Sequence, residues 1–279
     1  MRWVLFALLL LIVFSGCESI LVEDPAEPND DMDSAYELYP GKSITGYISS
    51  QDDLDYFIVP TDSLPVQGGV LIFSLEPFPM EPSLTIYNHD RAEIAYAYET
   101  TTGANLHIWM AVKSGTFYYA LVTPWGGWSE ERSSEPYTFT VSCIEVPDPY
   151  EPDNDPDEAT PIEADSTYHP YLFAGEPQSS EDYADCFRFT AETAGTLWVR
   201  VEDVPDDLSI EVYIYNSDGA EISYSYQTTD GASITLTRAV EPGDYYIKVK
   251  PWSSPPWHGK GDTPPDHVLN PYSIKVTLK

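Results

Sequence analysis

The strongest constraint on this chain is that it states one pattern twice. Ile94-Ala-Tyr-Ala-Tyr-Glu-Thr-Thr-Thr-Gly-Ala-Asn-Leu106 returns as Ile222-Ser-Tyr-Ser-Tyr-Gln-Thr-Thr-Asp-Gly-Ala-Ser-Ile234, and the opening Asp24-Pro-Ala-Glu-Pro-Asn-Asp30 returns as Asp148-Pro-Tyr-Glu-Pro-Asp-Asn154. Equivalent residues lie 124 apart at the openings and 128 apart in the middle, so small loop insertions separate two otherwise equal units. A period this long describes tandem globular domains, because solenoid repeats run to roughly 20–50 residues.

The N-terminus is a different kind of segment. Arg2, the unbroken apolar run Val4 to Phe14 and then Ser15-Gly16-Cys17 have the layout of an export signal. The run is too short to span a bilayer as a helix, since about 20 apolar residues are needed. Ser-Gly-Cys after the run resembles the bacterial lipobox, which implies that Cys17 is lipidated and becomes the mature N-terminus. Residues 1–16 are then a lipoprotein signal peptide and 17–22 a tether on the cell envelope. Glu18 stands where an Asp commonly marks inner-membrane retention, so the outer membrane is the expected destination.

Composition supports folding. Twenty-one Tyr, seven Trp and ten Phe are too many aromatics for a disordered acidic chain, although Asp and Glu outnumber Lys and Arg by 46 to 13. A net charge of −33 repels nucleic acid and anionic headgroups, which excludes DNA and RNA as expected partners. Beyond Cys17, only Cys143 and Cys186 remain. They occupy non-equivalent positions in the two units, and a disulfide and two buried thiols are both open readings.

Each unit consists of short alternating runs rich in Tyr, Thr and Val, such as Leu84–Tyr87, Ile94–Tyr98, Leu106–Val112 and Phe117–Val122, separated by turn sequences such as Asn216-Ser-Asp-Gly219. About eight strands per unit predict an all-β protein of two tandem antiparallel, jelly-roll-like β-sandwiches over residues 23–144 and 145–279. Ser34–Leu38 and Glu158–Pro161 are expected to form one helical turn at most. Three prolines within Glu145–Pro152 predict a stiff linker with limited interdomain motion.

Three motifs in the same order in both units carry a resemblance. Glu27-Pro-Asn-Asp30, Asp52-Asp-Leu-Asp-Tyr-Phe57 and Gly115-Thr-Phe-Tyr-Tyr119, with Glu151-Pro-Asp-Asn154, Asp182-Tyr-Ala-Asp-Cys-Phe187 and Gly243-Asp-Tyr-Tyr-Ile247, resemble the bacterial pre-peptidase C-terminal domains. These are β-sandwich modules that include the collagen-binding domains of clostridial collagenases. The resemblance implies calcium at Glu27, Asn29, Asp30, Asp52 and Asp55, and at Glu151, Asp153, Asn154, Asp182 and Asp185. The chemistry agrees, because hard cations take six to eight oxygen ligands from carboxylates, amides and carbonyls. The second unit reverses Asn-Asp to Asp-Asn, and Pro25 and Pro149 stand where those relatives carry a further Glu. The competing reading of these acids is a solvated charge run that only keeps the protein soluble.

A second constellation is aromatic. Trp125 with Trp128 and Trp252 with Trp257 follow equivalent strands, and Tyr96 with Tyr98 and Tyr224 with Tyr226 each share a strand face because side chains repeat every second residue. These eight residues are candidates for binding polysaccharide or extracellular protein; packing at sandwich ends is the alternative. The collagen-gripping aromatics of the relatives are replaced by Ala120 and Val122 or Lys248 and Lys250, so collagen binding does not carry over. His89, His107, His169, His258 and His267 form no His-Glu-x-x-His pair, and no Gly-x-Ser-x-Gly elbow is present. The expectation is a non-enzymatic, lipid-anchored envelope protein that binds a ligand through calcium-associated modules, or else a spacer or partner subunit of an envelope assembly.

Overall fold

The computed structural model describes residues 24–50, 52–62, 64, 68–126, 133–146, 148–151, 153–172, 184–253 and 255–279. The expected signal peptide, Cys17, the tether, Trp128 and Asp182 lie outside the described residues. Among the described residues no helix is long and apolar enough to cross a membrane.

The first half contains β1 (Tyr36–Glu37), β2 (Lys42–Gly46), β3 (Asp55–Pro60), β4 (Gly68–Leu75), β5 (Pro82–Tyr87), β6 (Glu93–Tyr98), β7 (Leu106–Lys113), β8 (Phe117–Pro124) and β9 (Tyr137–Glu145). The second contains β10 (Thr160–Pro161), β11 (Thr167–Tyr168), β12 (Asp185–Ala191), β13 (Gly195–Glu202), β14 (Ile210–Asn216), β15 (Glu221–Tyr226), β16 (Ile234–Val240), β17 (Gly243–Pro251), β18 (His258–Lys260), α1 (Asp266–Leu269) and β19 (Ser273–Leu278). One sheet of the first half runs β1-β3-β8-β5-β6, and its counterpart in the second runs β10-β12-β17-β14-β15. The facing sheets run β7-β4-β9-β2 and β16-β13-β19-β11, so strand order repeats throughout. Even the register shift at Ile86/Tyr87 recurs at Ile214/Tyr215. The two segments expected to make a helical turn are instead β1 and β10, which pair parallel with β3 and β12.

Alternation decides which side chains fill each sandwich. Phe57, Val59, Leu84, Ile86, Ala120 and Val122 point inward from one sheet to meet Leu71, Phe73, Ile108, Met110 and Phe139 of the other. Strand β4 departs from alternation because both of its faces are covered. Leu71, Phe73 and Leu75 face their own core, while Val70 and Ile72 join Trp109, Val146 and Ile144 in packing against the core of the second half.

The segment after β17 makes this second contact. Strand β18 adds antiparallel to β7 across the halves, with Gly259 opposite Trp109. Ala111 donates to the Trp257 carbonyl at 2.8 Å and Gly261 to that of His107 at 2.9 Å, extending the ladder on both sides. Trp257 packs against both cores. Lys260 reaches the Tyr98 carbonyl at 2.8 Å and the Glu99 carboxylate at 2.6 Å. A strap from the second half therefore completes a sheet of the first. A side chain at Gly259 would run into the Trp109 ring, with a Cβ only 2.9 Å from its Nε1, which is why glycine is required there.

Candidate calcium clusters and aromatic platforms

Each opening segment is fastened to its own sandwich by the same bonds. Asp24 accepts the amides of Ala26 at 2.9 Å and Tyr47 at 2.7 Å; Asp148 accepts those of Tyr150 and Tyr171 at the same two distances. Tyr56 donates its amide to the Asn29 carbonyl at 2.9 Å, as Cys186 does to that of Asp153 at 2.6 Å. The carboxylates of Glu27 and Glu151 accept the amides two residues on. These bonds turn each opening across the first residue of β3 or β12, which is Asp55 or Asp185.

In the first half Glu27, Asp30 and Asp53 each bring a carboxylate oxygen to one point, all within 4.8 Å of one another. In the second the group is Glu151, Asp153 and Asp185, to the same tolerance. Asn29, Asp53, Asp55, Asp153 and Asp185 are all buried. Asn29 Oδ1, Asp53 Oδ1, Asp55 Oδ1 and Asp153 Oδ2 are enclosed without a hydrogen-bond partner among the described residues. Stranding polar oxygens this way is costly, and burying like charges together costs more. Either protons or a cation must compensate.

The acidities record that cost. Burial pushes Asp55 up to about 8, with Asp53 and Asp24 adding to the rise and the Tyr137 hydroxyl opposing it. Burial, reinforced by Asp148, takes Glu151 up to about 7. Burial raises both Asp153 and Asp185, reinforced by Glu151 at the first and by Asp153 at the second. Tyr137 donates to Asp55 and Tyr272 to Asp185, so each central carboxylate keeps one oxygen on a tyrosine. The donor set is all oxygen, with no His or Cys in either group, and this fits calcium rather than zinc or copper.

The structure brings Glu27 and Asp30 together with Asn29 and Asp55 beside them, whereas Asp52 is exposed and Asp53 takes the place in the cluster. Asp53 is turned inward by the Ser49 amide and hydroxyl, both of which donate to its Oδ2. Asn154 lies next to the second group, where its carbonyl faces the Cys186 thiol at 3.6 Å. Sequence reasoning missed Asp53, Tyr137 and Tyr272; the repeated placement of Tyr137 and Tyr272 in the last strand region was the available signal for the tyrosines.

Most of the aromatic residues stack on the outer faces, where Trp125 is half-buried. Tyr98 and Trp125 stack at 3.6 Å with an angle of 8°, and Tyr96 lies 5.8 Å from Tyr98. At the equivalent place Tyr226 and Trp252 stack at 4.3 Å and 14°, and the row continues through Tyr224 to Tyr213. Tyr96, Tyr98, Tyr224, Tyr226 and Trp252 are all solvent-exposed. Trp257 is different, because it is wedged between the two cores.

Residues 183–251 match the family model of the bacterial pre-peptidase C-terminal domain. The matched segment runs from β12 through β17, taking in four strands of the sheet that carries Asp185 together with β13 and β16 of the facing sheet. The family is one of non-catalytic modules. Among solved structures, the pre-peptidase C-terminal domain of collagenase from Bacillus anthracis is 19% identical, covering 45% of this chain and all of its own, with a TM-score of 0.32. A secreted protein from Parabacteroides distasonis (9% identity, 85% of this chain, 88% of its own, TM-score 0.29) and one from Eubacterium rectale (12%, 89%, 79%, 0.28) are also similar. No curated protein matches the chain.

Cys143 and Cys186 are free thiols, and burial pushes Cys186 up to about 12. His267 sits between Asp207 at 2.8 Å and the Pro256 carbonyl at 3.0 Å, holding the strap to the second sandwich. His107 faces Glu76 at 3.1 Å and Ser74 at 3.1 Å.

Proposed function

We propose that this chain is a non-enzymatic, lipid-anchored envelope protein whose two sandwiches each bind calcium and present an aromatic platform to polysaccharide or extracellular protein. The observation that carries the binding role is the recurrence of a Tyr-Trp stack at equivalent places in both halves, with Tyr98, Tyr226 and Trp252 exposed and Trp125 half-buried. Large amphipathic rings left in solvent cost hydrophobic free energy unless a partner covers them. Calcium is supported by the enclosed oxygens of Asn29, Asp53, Asp55 and Asp153, which have no partner among the described residues, beside the gathered carboxylates of Glu27, Asp30 and Asp53 and of Glu151, Asp153 and Asp185. Bound there, the ion would fix each opening segment against its sheet. Export and the anchor rest on the Val4–Phe14 run and Cys17.

The test is a glycan and matrix-protein array probed with the full chain, with and without calcium. Trp125→Ala and Trp252→Ala should abolish the signal while leaving the melting temperature within a few degrees. Unchanged binding in the double variant would remove the platforms from the account. The strap favours a second reading, a rigid spacer within an envelope assembly, since it ties the halves together without any ligand. That reading expects no array signal and co-purification with a protein partner.

A further inference from the structure

The strap joins the halves and also ends against the first aromatic platform. Strand β6 is the outer strand of its sheet, and β7 without the strap would be the outer strand of the facing one. Strand β18 extends the β7 sheet past this edge and carries Lys260 to the end of β6. There the Lys260 ammonium lies 2.6 Å from the Glu99 carboxylate and 2.8 Å from the Tyr98 carbonyl. Tyr96, Ala97, Tyr98, Glu99, Thr100 and Lys260 line an open cavity of about 420 Å³. Lys260 alone among them comes from the second half.

Each part of this corner is held in place by the fold. The Glu99 amide donates to the Pro82 carbonyl at 3.0 Å, and the Trp125 amide to that of Glu81 at 2.7 Å. Trp125 covers one face of Tyr98, so the rest of that ring and the neighbouring Tyr96 meet the solvent. Lys260 is set in register opposite Ile108, and the Gly261 amide after it is bonded to the His107 carbonyl. An ammonium has three donors, and Glu99 with the Tyr98 carbonyl takes two of them. One donor is left, and the Glu99 carboxylate keeps its second oxygen as an acceptor. The second platform is built differently: Gln227 stands in the place of Glu99, and among the described residues no strand covers the β16 edge.

Resting on the binding role proposed above, we infer that this corner takes a neutral hexose unit of a polysaccharide, held jointly by the two halves. The tyrosine rings offer apolar surface to a pyranose ring, and the fixed ion pair sets a donor and an acceptor side by side for adjacent sugar hydroxyls. A carboxylate on the ligand would meet Glu99 at short range and a net charge of −33 at long range, which selects against uronates. The cavity has the volume of a small-ligand site, which suits a sugar unit better than the broad patch of a protein interface. Lys260 is thus a specificity residue that the second sandwich lends to a platform on the first, and an occupied site ties the strap down.

The experiment is calorimetry of the full chain carrying Trp252→Ala, so that the first platform alone is read, against cellohexaose, mannohexaose and oligogalacturonate with calcium present. One of the neutral hexamers should bind more tightly than oligogalacturonate, and its affinity should change less than about twofold between about 50 and 500 mM NaCl. Lys260→Met and Glu99→Ala should each weaken it about tenfold, the usual cost of losing a hydrogen bond to a charged group. Hydrogen exchange at the Gly261 amide should slow when the hexamer binds, which a purely structural strap would not show. Where Lys260→Met also lowers the melting temperature, Glu99→Ala decides. Equal or tighter binding of oligogalacturonate, parent affinity in Glu99→Ala, or unchanged exchange at Gly261 overturns this inference and leaves the general binding role standing. Failure of both neutral hexamers does the same when the array finds another ligand. No ligand of any class overturns both.

Discussion

At the scale of single residues the decisive groups are carboxylates buried beside one another. Asp55 and Glu151 hold protons in the folded chain at pH values where an unfolded Asp or Glu has lost them, because burial raises them to about 8 and about 7. The folded state thus binds more protons, and its stability without calcium is fully present below about pH 4 and lost as pH rises through those values. Each such carboxyl costs about 1.4 kcal/mol per pH unit in that window. Thermal melts of chelator-treated protein should therefore fall between pH 5 and pH 8, and added calcium should reverse the fall at pH 8. A chelated protein equally stable at both would contradict the buried clusters. Gly46 offers an independent check, since a Cβ there would strike the Tyr137 hydroxyl that holds Asp55. Gly46→Ala should destabilise by about 1–3 kcal/mol and weaken calcium-dependent stabilisation. Of this site, the opening Glu27-Pro-Asn-Asp30 was legible from its repetition; the choice of Asp53 over Asp52 was not. Asp52 and Asp53 lie in a turn before β3, where no periodicity says which points inward, and the Ser49 contacts that select Asp53 are visible only in three dimensions.

At the scale of elements, β7 and β16 show how one fold position is adapted to two environments. Strand β7 reads Leu-His-Ile-Trp-Met-Ala-Val and is covered by the strap, with Trp109 and Met110 buried. Strand β16 reads Ile-Thr-Leu-Thr-Arg-Ala-Val, forms an open sheet edge among the described residues, and exposes Arg238 where β7 buries Met110. A charged residue at such an edge discourages pairing with other chains. The apolar alternation made most strands legible, whereas the cover on both faces of β4 shows only in three dimensions. The strap was not legible, because three residues within a Pro- and Gly-rich loop carry no periodicity; it gains its structure from the β7 edge. Trp257→Ala should remove packing from both cores and cost roughly 2–4 kcal/mol in urea denaturation. Gly259→Val should act through the same strap by colliding with Trp109. If both variants unfold like the parent, the strap contributes nothing to stability.

At the scale of the whole molecule, two sandwiches of repeated topology are joined through an added strand and a shared apolar contact, and each is entered through an acidic segment folded over its own sheet. The linker prolines suggested stiffness, but the join is made mainly by β18 and Trp257. The charge of −33 makes this packing dependent on compensation at the clusters, where the unpartnered oxygens lie. Calcium linkage would add about 2.7 kcal/mol for each site at a hundredfold excess over its dissociation constant. Calorimetric titration of chelator-treated full chain with calcium at pH 8 is the most direct test. Two binding events are predicted, one lost in Asp55→Asn and the other in Asp185→Asn, each with its share of the thermal stabilisation. No heat of binding and an unchanged melt would contradict the claim that a divalent ion closes these segments.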